Sequence, residues 1–390
     1  MSKKYVIIGA GIAGLSAAKA IRETDPLGQI DIFTAENNLP YSRPMLTKAP
    51  FISFDPARWT IYDQEWFDSN KISIHVGETV TKIDAENKWV IGNRTYPYNE
   101  LILATGAESY RIPVSGADRP NVYTIRRAED IVSIKRAYTA DTHVVVIGGG
   151  VIGLEAAVEL ARYGAKVTVL EAMPYLMSRQ IDEEISDLIR QKLSNIDIHT
   201  DVQIKEIDMD RVIFDDETFL PCDFVVMACG IKAETSIVPE DVTVQKSIVI
   251  DEHCQTTCPD IYAAGDCAQF RGINYALWSQ GMVQGEVAGR HAAGDENAAL
   301  TDFDTSLVMN SPELSLFALG DMGKNPDLEY EIKYTSSKDN PNSYFANPTQ
   351  GEFFEKQYLV KGKVVGAAIV GNLTRMQSLK DKINDVEVAR

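Results

Sequence analysis

Lys4-Tyr5-Val6-Ile7-Ile8-Gly9-Ala10-Gly11-Ile12-Ala13-Gly14-Leu15 is the stretch on which the reading of the whole chain turns. Lys4 to Ile8 is a short β-rich apolar run, and the glycine cluster behind it opens an Ala-rich helical stretch from Leu15 to about Arg22. The pattern is strand, glycine turn, helix. Each glycine has its own duty: Gly9 permits the tight turn, Gly11 lets backbone approach a pyrophosphate, and Gly14 allows close packing of helix on strand. Phosphates would then sit on the helix N-terminus, where free N–H groups and the helix dipole attract anions. A second apolar run, Ile30 to Thr34, leads to Glu36, about 20 residues beyond Gly14, where an acid can hold a ribose hydroxyl. Ala10 and Ala13 fill the remaining turn positions.

The same device recurs. His143 to Ile147 is followed by Gly148-Gly149-Gly150-Val151-Ile152-Gly153, a helical stretch from Leu154 to Tyr163, and a strand Lys166 to Leu170 that ends at Glu171, at a comparable interval past Gly153. Gly148, Gly150, Ile152 and Gly153 stand where Gly9, Gly11, Ala13 and Gly14 stand in the first copy. One glycine cluster alone could be a tight βα turn with no ligand. Two complete fingerprints, opening at Gly9 and at Gly148 and each with its acid, imply two dinucleotides on two Rossmann-like domains. Glu171 would accept hydrogen bonds from a free 2′-hydroxyl and repel a 2′-phosphate, so NADH is favoured over NADPH; Arg179 downstream keeps an NADPH reading open.

Working outward, Leu101 to Gly106 and Phe224 to Gly230 are buried-strand patterns that end in small residues, and Arg111 to Gly116 reads as a linker crossing. Asp260 to Asp266 is another short strand, stopping at Gly-Asp, and Gln280 to Ala292 reads as a helix. From about residue 300 the pattern changes to short strands and turns, as in Tyr358 to Val360 and Val364 to Val370. The expected architecture is α/β: two Rossmann-like dinucleotide-binding domains, one discontinuous over 1–110 and 236–300, the other over 111–235, followed by a smaller C-terminal α+β domain over 301–390.

Composition narrows the function. The chain has 390 residues, 45% hydrophobic and 24% charged, which excludes disorder and a small disulfide scaffold. Its net charge of -18 disfavours nucleic acid as a principal ligand. No apolar run reaches the roughly 18 to 20 residues of a membrane-spanning helix. The N-terminus leads straight into a strand instead of a signal peptide's apolar core, so a cytoplasmic protein without membrane association is expected. The five cysteines (Cys222, Cys229, Cys254, Cys258, Cys267) lack the paired spacing of a zinc site, a redox CxxC or an iron–sulfur cluster. They read as structural thiols. The five histidines share no motif, and no metal site is expected.

Five ordered motifs now carry a resemblance that covers nearly the whole chain. They are the first fingerprint, Ala104-Thr105-Gly106, the second fingerprint with Glu155 just after it, Ala228-Cys229-Gly230, and Ile261-Tyr262-Ala263-Ala264-Gly265-Asp266-Cys267. Together they resemble the two-nucleotide flavoprotein disulfide reductase superfamily, of glutathione-reductase-like fold. The resemblance implies that the first fingerprint binds FAD with Asp266, that the second binds NAD(P)H, and that Gly230 borders the nicotinamide nucleotide. Within the superfamily, Leu39-Pro40-Tyr41-Ser42-Arg43-Pro44-Met45-Leu46-Thr47-Lys48 is similar to a segment of the ferredoxin, rubredoxin and nitrite reductase flavoproteins, the NADH:rubredoxin oxidoreductases above all. It implies that Arg43 and Lys48 meet the flavin side of FAD, that Lys48 lies near Glu155, and that Val80 touches the adenine through its backbone. A lysine beside the flavin stabilises negative charge there, and a carboxylate holds the lysine in place. Trp278 would face the flavin's pyrimidine edge; a core tryptophan is the other reading of it.

What is missing matters as much. Disulfide-reducing relatives carry cysteines on the helix after the first fingerprint or near Ser42 and Arg43, yet no cysteine precedes Cys222 here. Electrons must therefore pass from flavin directly to an external acceptor, rubredoxin being the first candidate. Three alternatives stay open. One is an NADH oxidase. Another is the flavin portion of a nitrite-reductase-like system, which with the chain ending at Arg390 would need its sirohaem on a separate subunit. The third is an NADH-responsive signalling protein. An acidic carrier would also need a local basic patch, for which Lys3, Lys4, Arg43, Lys48 and Arg126-Arg127 are candidates. Oligomeric state is open.

Overall fold

A computed structural model describes residues 2–49, 51–300, 303–337 and 351–384. The chain divides into two compact units: Met1–Met45, Asp55–Glu108 and Ile231–Thr305 form one, and Leu46–Phe54, Ser109–Gly230 and Ser306–Arg390 the other.

In the first unit, five parallel strands lie in the order Ile261–Ala263, Glu100–Leu103, Lys4–Ile8, Gln29–Thr34, Ile72–Val76. The fingerprint strand is central. Both its neighbours are in register at its end, Ile8 opposite Phe33 and Leu103. Its residues Tyr5 to Ile8 are buried, as a strand covered on both faces must be. The helix Ile12–Thr24 follows at once and buries Leu15, Ala17, Ala18 and Ile21. It starts ahead of the expected Leu15, because apolar periodicity registers only where the helix meets the core and the turn residues Ile12 to Gly14 are already helical.

The second unit repeats this plan with the order Asp197–His199, Lys166–Leu170, His143–Ile147, Phe224–Met227, Val122–Thr124, again all parallel. Its fingerprint strand is also central and is followed by the helix Val151–Arg162. The C-terminal part adds a five-stranded antiparallel sheet, Leu307–Asn310, Ser315–Gly320, Lys363–Gly371, Phe353–Val360 and Glu331–Ser336 in spatial order, with the helix Met376–Asn384 against it. The strands here are longer than the expected runs at Tyr358 and Val364; residues 301–302, 338–350 and 385–390 of this expected domain lie outside the described residues. Among the described residues no helix is long and apolar enough to cross a membrane.

Back in the first unit, the helix Trp278–Ala292 packs on Ile12–Thr24 through a stripe of small residues. A Cβ on Gly285 would stand 2.1 Å from the Ala13 carbonyl oxygen, and one on Gly289 2.4 Å from that of Ala17. Because 285 meets 13 and 289 meets 17, the helices run parallel with their N-termini at the same end. Adding one methyl therefore forces two backbones apart. Gly285→Ala should destabilise the protein by about 1–3 kcal/mol, read by denaturant unfolding; unchanged stability would show that this packing does not matter.

Candidate functional site

The two fingerprint turns are built alike, each by the same backbone constraint. Gly9 has φ +108° and Gly148 φ +111°, a region that favours glycine. The Gly9 amide donates to the Phe33 carbonyl at 2.8 Å, and the Gly148 amide to that of Leu170 at 2.8 Å. A Cβ on Gly9 would lie 2.0 Å from the Ala104 carbonyl oxygen, and one on Gly148 2.5 Å from that of Ala228. The small-residue strand ends Ala104-Thr105-Gly106 and Ala228-Cys229-Gly230 are thus where the turn closes. Gly14 and Gly153 do what packing of helix on turn requires: a Cβ on either would meet the carbonyl of Gly9 or Gly148 at 2.0 Å.

Gly11 and Gly150 differ from these. A Cβ on either meets nothing within 4 Å, so both face open space. Each is the N-cap of its helix, and neither helix has a side-chain cap or an acid in its first turn. Two other helices are capped by aspartate: Asp63 accepts from Trp66 N, and Asp182 from Ile185 N. Leaving the two fingerprint helices uncapped over open space exposes N–H groups and the positive dipole end, the donor set a diphosphate needs. The fit to two dinucleotides is good.

In the first unit, Ala10, Gly11, Glu36 and Arg43 line one open cleft. Arg43 stands on Glu36: its guanidinium donates to the carboxylate, which also accepts from Tyr41 Oη at 2.7 Å. Arg43 therefore stands beside Glu36, and the Asp266 carboxylate lies within its electrostatic reach. Ala13 packs under Gly265, and Thr105 Oγ1 donates to the Glu234 carbonyl at 2.6 Å. Val80 is buried in the same core as Phe33 and Tyr96. Trp278 is the first residue of its helix and only half-buried, not a core side chain.

The Gly-Asp turn is fixed by residues that reading the motifs did not single out. Gln284 Oε1 accepts from the Gly265 amide at 2.8 Å, Gln280 Oε1 accepts from the Tyr275 amide at 2.8 Å, and Asn274 Nδ2 donates to the Asp266 carbonyl at 2.8 Å. Both glutamines are buried. The available signal was the spacing Gly281, Gly285, Gly289, which marks a helix face pressed onto another backbone.

In the second unit, Glu171 ends its strand as expected, half-buried, accepting from the Gly149 amide at 2.7 Å and the Met173 amide at 2.8 Å. Glu171 and the Gly149 turn are thereby locked together. Ile152 is exposed in the first turn of its helix, beside Gly150, and Gly230 has φ +108° with nothing near its would-be Cβ.

Glu155 and Glu159, one turn apart on the same helix, are both buried and both hold the segment 46–54. Thr47 Oγ1 donates to Glu155 Oε2, and the Phe51 amide donates to Glu159 Oε1 at 3.2 Å. Lys48 is exposed and makes no ion pair among the described residues; it reaches Glu155 only through space. The direct partner of the carboxyl is therefore the hydroxyl one residue earlier. Glu155 Oε1 is buried with no hydrogen-bond partner among the described residues.

All five cysteines are free. Burial is the main cause that pushes Cys222 up to about 12, and burial followed by the nearby Glu171 carboxylate that pushes Cys229 up to about 11. Held protonated, they are poor nucleophiles. Of the basic groups considered for docking, Lys3 pairs with Glu100 at 2.7 Å and Arg43 with Glu36. Among the described residues no cluster of three or more His, Cys, Asp or Glu could hold a metal ion.

Two uncapped phosphate turns, each with its acid, define a two-dinucleotide oxidoreductase. A family model described as pyridine nucleotide-disulphide oxidoreductase matches residues 3–292, and the chain belongs to that family. Its members use FAD and NADH. The chain is 32% identical to a nitrite reductase [NAD(P)H] of Bacillus subtilis over 98% of its length and 48% of the relative's. It is 29% identical to an NADH-rubredoxin oxidoreductase of Clostridium acetobutylicum, covering 98% of this chain and 95% of that one. The solved NAD-dependent persulfide reductase of A. fulgidus superposes with TM-score 0.89 at 26% identity, over 98% of this chain and 76% of that one. The chain spans about half the length of the first of these relatives.

The Glu155 carboxyl carries a pH prediction. Burial, opposed by the Thr47 hydrogen bond and the charge of Lys48, leaves its pKa above the ordinary glutamate value. A carboxyl raised on folding costs nothing at low pH, where both states are protonated, and costs stability as pH rises through the folded pKa. Glu155→Gln should match the parent in Tm at about pH 4 and exceed it near neutrality. A difference in Tm that does not change with pH would contradict this.

Proposed function

We propose that this chain takes a hydride from NADH onto FAD and releases the electrons singly to a small electron-carrier protein, with rubredoxin the first candidate. FAD supplies the step from a two-electron donor to one-electron acceptors. The observation that carries the reading is the pair of uncapped fingerprint turns in a chain with no cysteine before Cys222.

The protein's own contribution is placement. Gly11 and the first-turn amides of Ile12–Thr24 hold the flavin nucleotide's diphosphate, with Glu36, Arg43 and Asp266 around it. The parallel helix Trp278–Ala292, whose N-terminus carries no acid, adds positive potential at the same end. Gly148, Gly150 and Gly153 hold the nicotinamide nucleotide's diphosphate, and Glu171 accepts from its ribose. Positioning two ring systems in near-contact turns a bimolecular transfer into an effectively intramolecular one, and no side-chain acid or base is needed for it. Glu155, fastened by Thr47, and the exposed Lys48 are the groups we assign to the flavin's charge.

A second reading is the flavin portion of a nitrite-reductase system, favoured by the 32% identity over 98% of this chain. Steady-state turnover with NADH separates the two. Fast reduction of rubredoxin or ferredoxin supports the first, whereas turnover only with a sirohaem partner, or only with oxygen, would overturn it. In the same assay Glu171→Arg should lose the preference for NADH over NADPH; unchanged kinetics with both would contradict the ribose assignment.

A further inference from the structure

The segment between Glu171 and the helix Glu183–Lys192 has two ends with different anchors. Its inner part is tied to the phosphate turn: the Met177 amide donates to the Gly149 carbonyl at 3.0 Å, and the Leu176 side chain stands 2.6 Å from where a Gly149 Cβ would be. Met177 holds φ +52°, a left-handed conformation that side chains avoid. With Glu171 bonded to the Gly149 amide, the ribose acid, the phosphate turn and this segment form one connected body.

The outer part is held by the C-terminal sheet. Asp182, the N-cap of the helix, accepts from Lys356 Nζ at 2.5 Å and from Tyr358 Oη at 2.6 Å. Lys356 Nζ also reaches Glu184 Oε2 at 2.5 Å, an oxygen that takes a further bond from Tyr334 Oη at 3.1 Å. Lys324 Nζ donates to the Ser178 carbonyl. Lys356 is only 6% exposed and Tyr358 2%. Burying an ammonium is expensive and breaking its pairs costs more than a surface contact would, so a latch of this kind fixes a conformation more than it adds stability. Burial works against charge on Lys356, but the bonds to Asp182 and Glu184 outweigh it and leave its pKa above the ordinary lysine value.

We propose that Lys356 is a positioning residue for the nicotinamide nucleotide: from the C-terminal sheet, through Asp182, it sets the segment 172–182 and with it the Gly149–Glu171 contact that receives the adenosine half of NADH. This rests on the assignment of the second fingerprint to NADH. The sheet thereby contributes to donor affinity without touching the donor.

The test uses the FAD-loaded full chain with Lys356→Met, Lys356→Arg and, as a surface variant that leaves the buried cluster intact, Lys324→Met. Measured are KM for NADH, kcat with ferricyanide as acceptor, the FAD content, and Kd for ADP-ribose, which carries the adenosine half without the nicotinamide. Lys356→Met should raise KM for NADH and Kd for ADP-ribose by the same factor, about three- to tenfold, with kcat and FAD content kept. Lys356→Arg should recover most of the loss, and Lys324→Met should shift both constants in the same direction. A folded Lys356→Met with lowered Tm but unchanged KM and Kd would overturn the proposal. If that variant does not fold, an unchanged Kd in Lys324→Met overturns it. Failure of the unmutated protein to bind ADP-ribose would instead strike the NADH assignment itself.

Discussion

A backbone carbonyl pressed against a glycine α-carbon is the contact on which both nucleotide turns depend. The Ala104 oxygen closes on Gly9 and the Ala228 oxygen on Gly148, at separations that leave no room for a Cβ. With that contact in place, the central strand of each sheet can end, reverse and feed a helix within a few residues. The helix then starts with bare N–H groups over open space. Without it, the helix would have to begin further away, and an aspartate cap of the kind used at Asp63 and Asp182 would be the better solution.

That constraint explains which parts of the structure were legible in the sequence. The two fingerprints, their acids and the small-residue strand ends are local: each residue sits within its own turn, so spacing alone reveals the position. Glu171 lies where the spacing put it. The beginnings of the helices were less legible, because Ile12 to Gly14 contribute turn geometry instead of an apolar stripe. The partner of Glu155 was not legible at all. Thr47 and Lys48 are neighbours in the short helix Met45–Lys48, and no sequence spacing decides which of two adjacent side chains turns inward. The resemblance implies the lysine near the carboxylate; the buried site takes the hydroxyl as direct partner and leaves the ammonium in solvent.

Arg43 shows the same limit in a different way. The resemblance implies a place on the flavin side of FAD, and spacing did not show that its guanidinium pairs with Glu36, a short way back along the chain. The glutamine pair under the Gly-Asp turn and the Lys356 latch were invisible for a third reason. Their partners are either spread along a loop or far away in sequence, and a lone buried lysine looks like any other lysine in a strand. Non-local polar networks leave no periodic trace.

Two separate nucleotide turns in one chain are most directly tested by anaerobic titration of the FAD-loaded protein with NADH, for the unmutated chain and for Gly148→Ala. The expected result is one FAD per chain in both proteins, stoichiometric loss of the yellow flavin absorbance with NADH in the first, and little or none in the second. Equal bleaching of the two proteins, or a correctly folded chain that takes up no flavin, would contradict it.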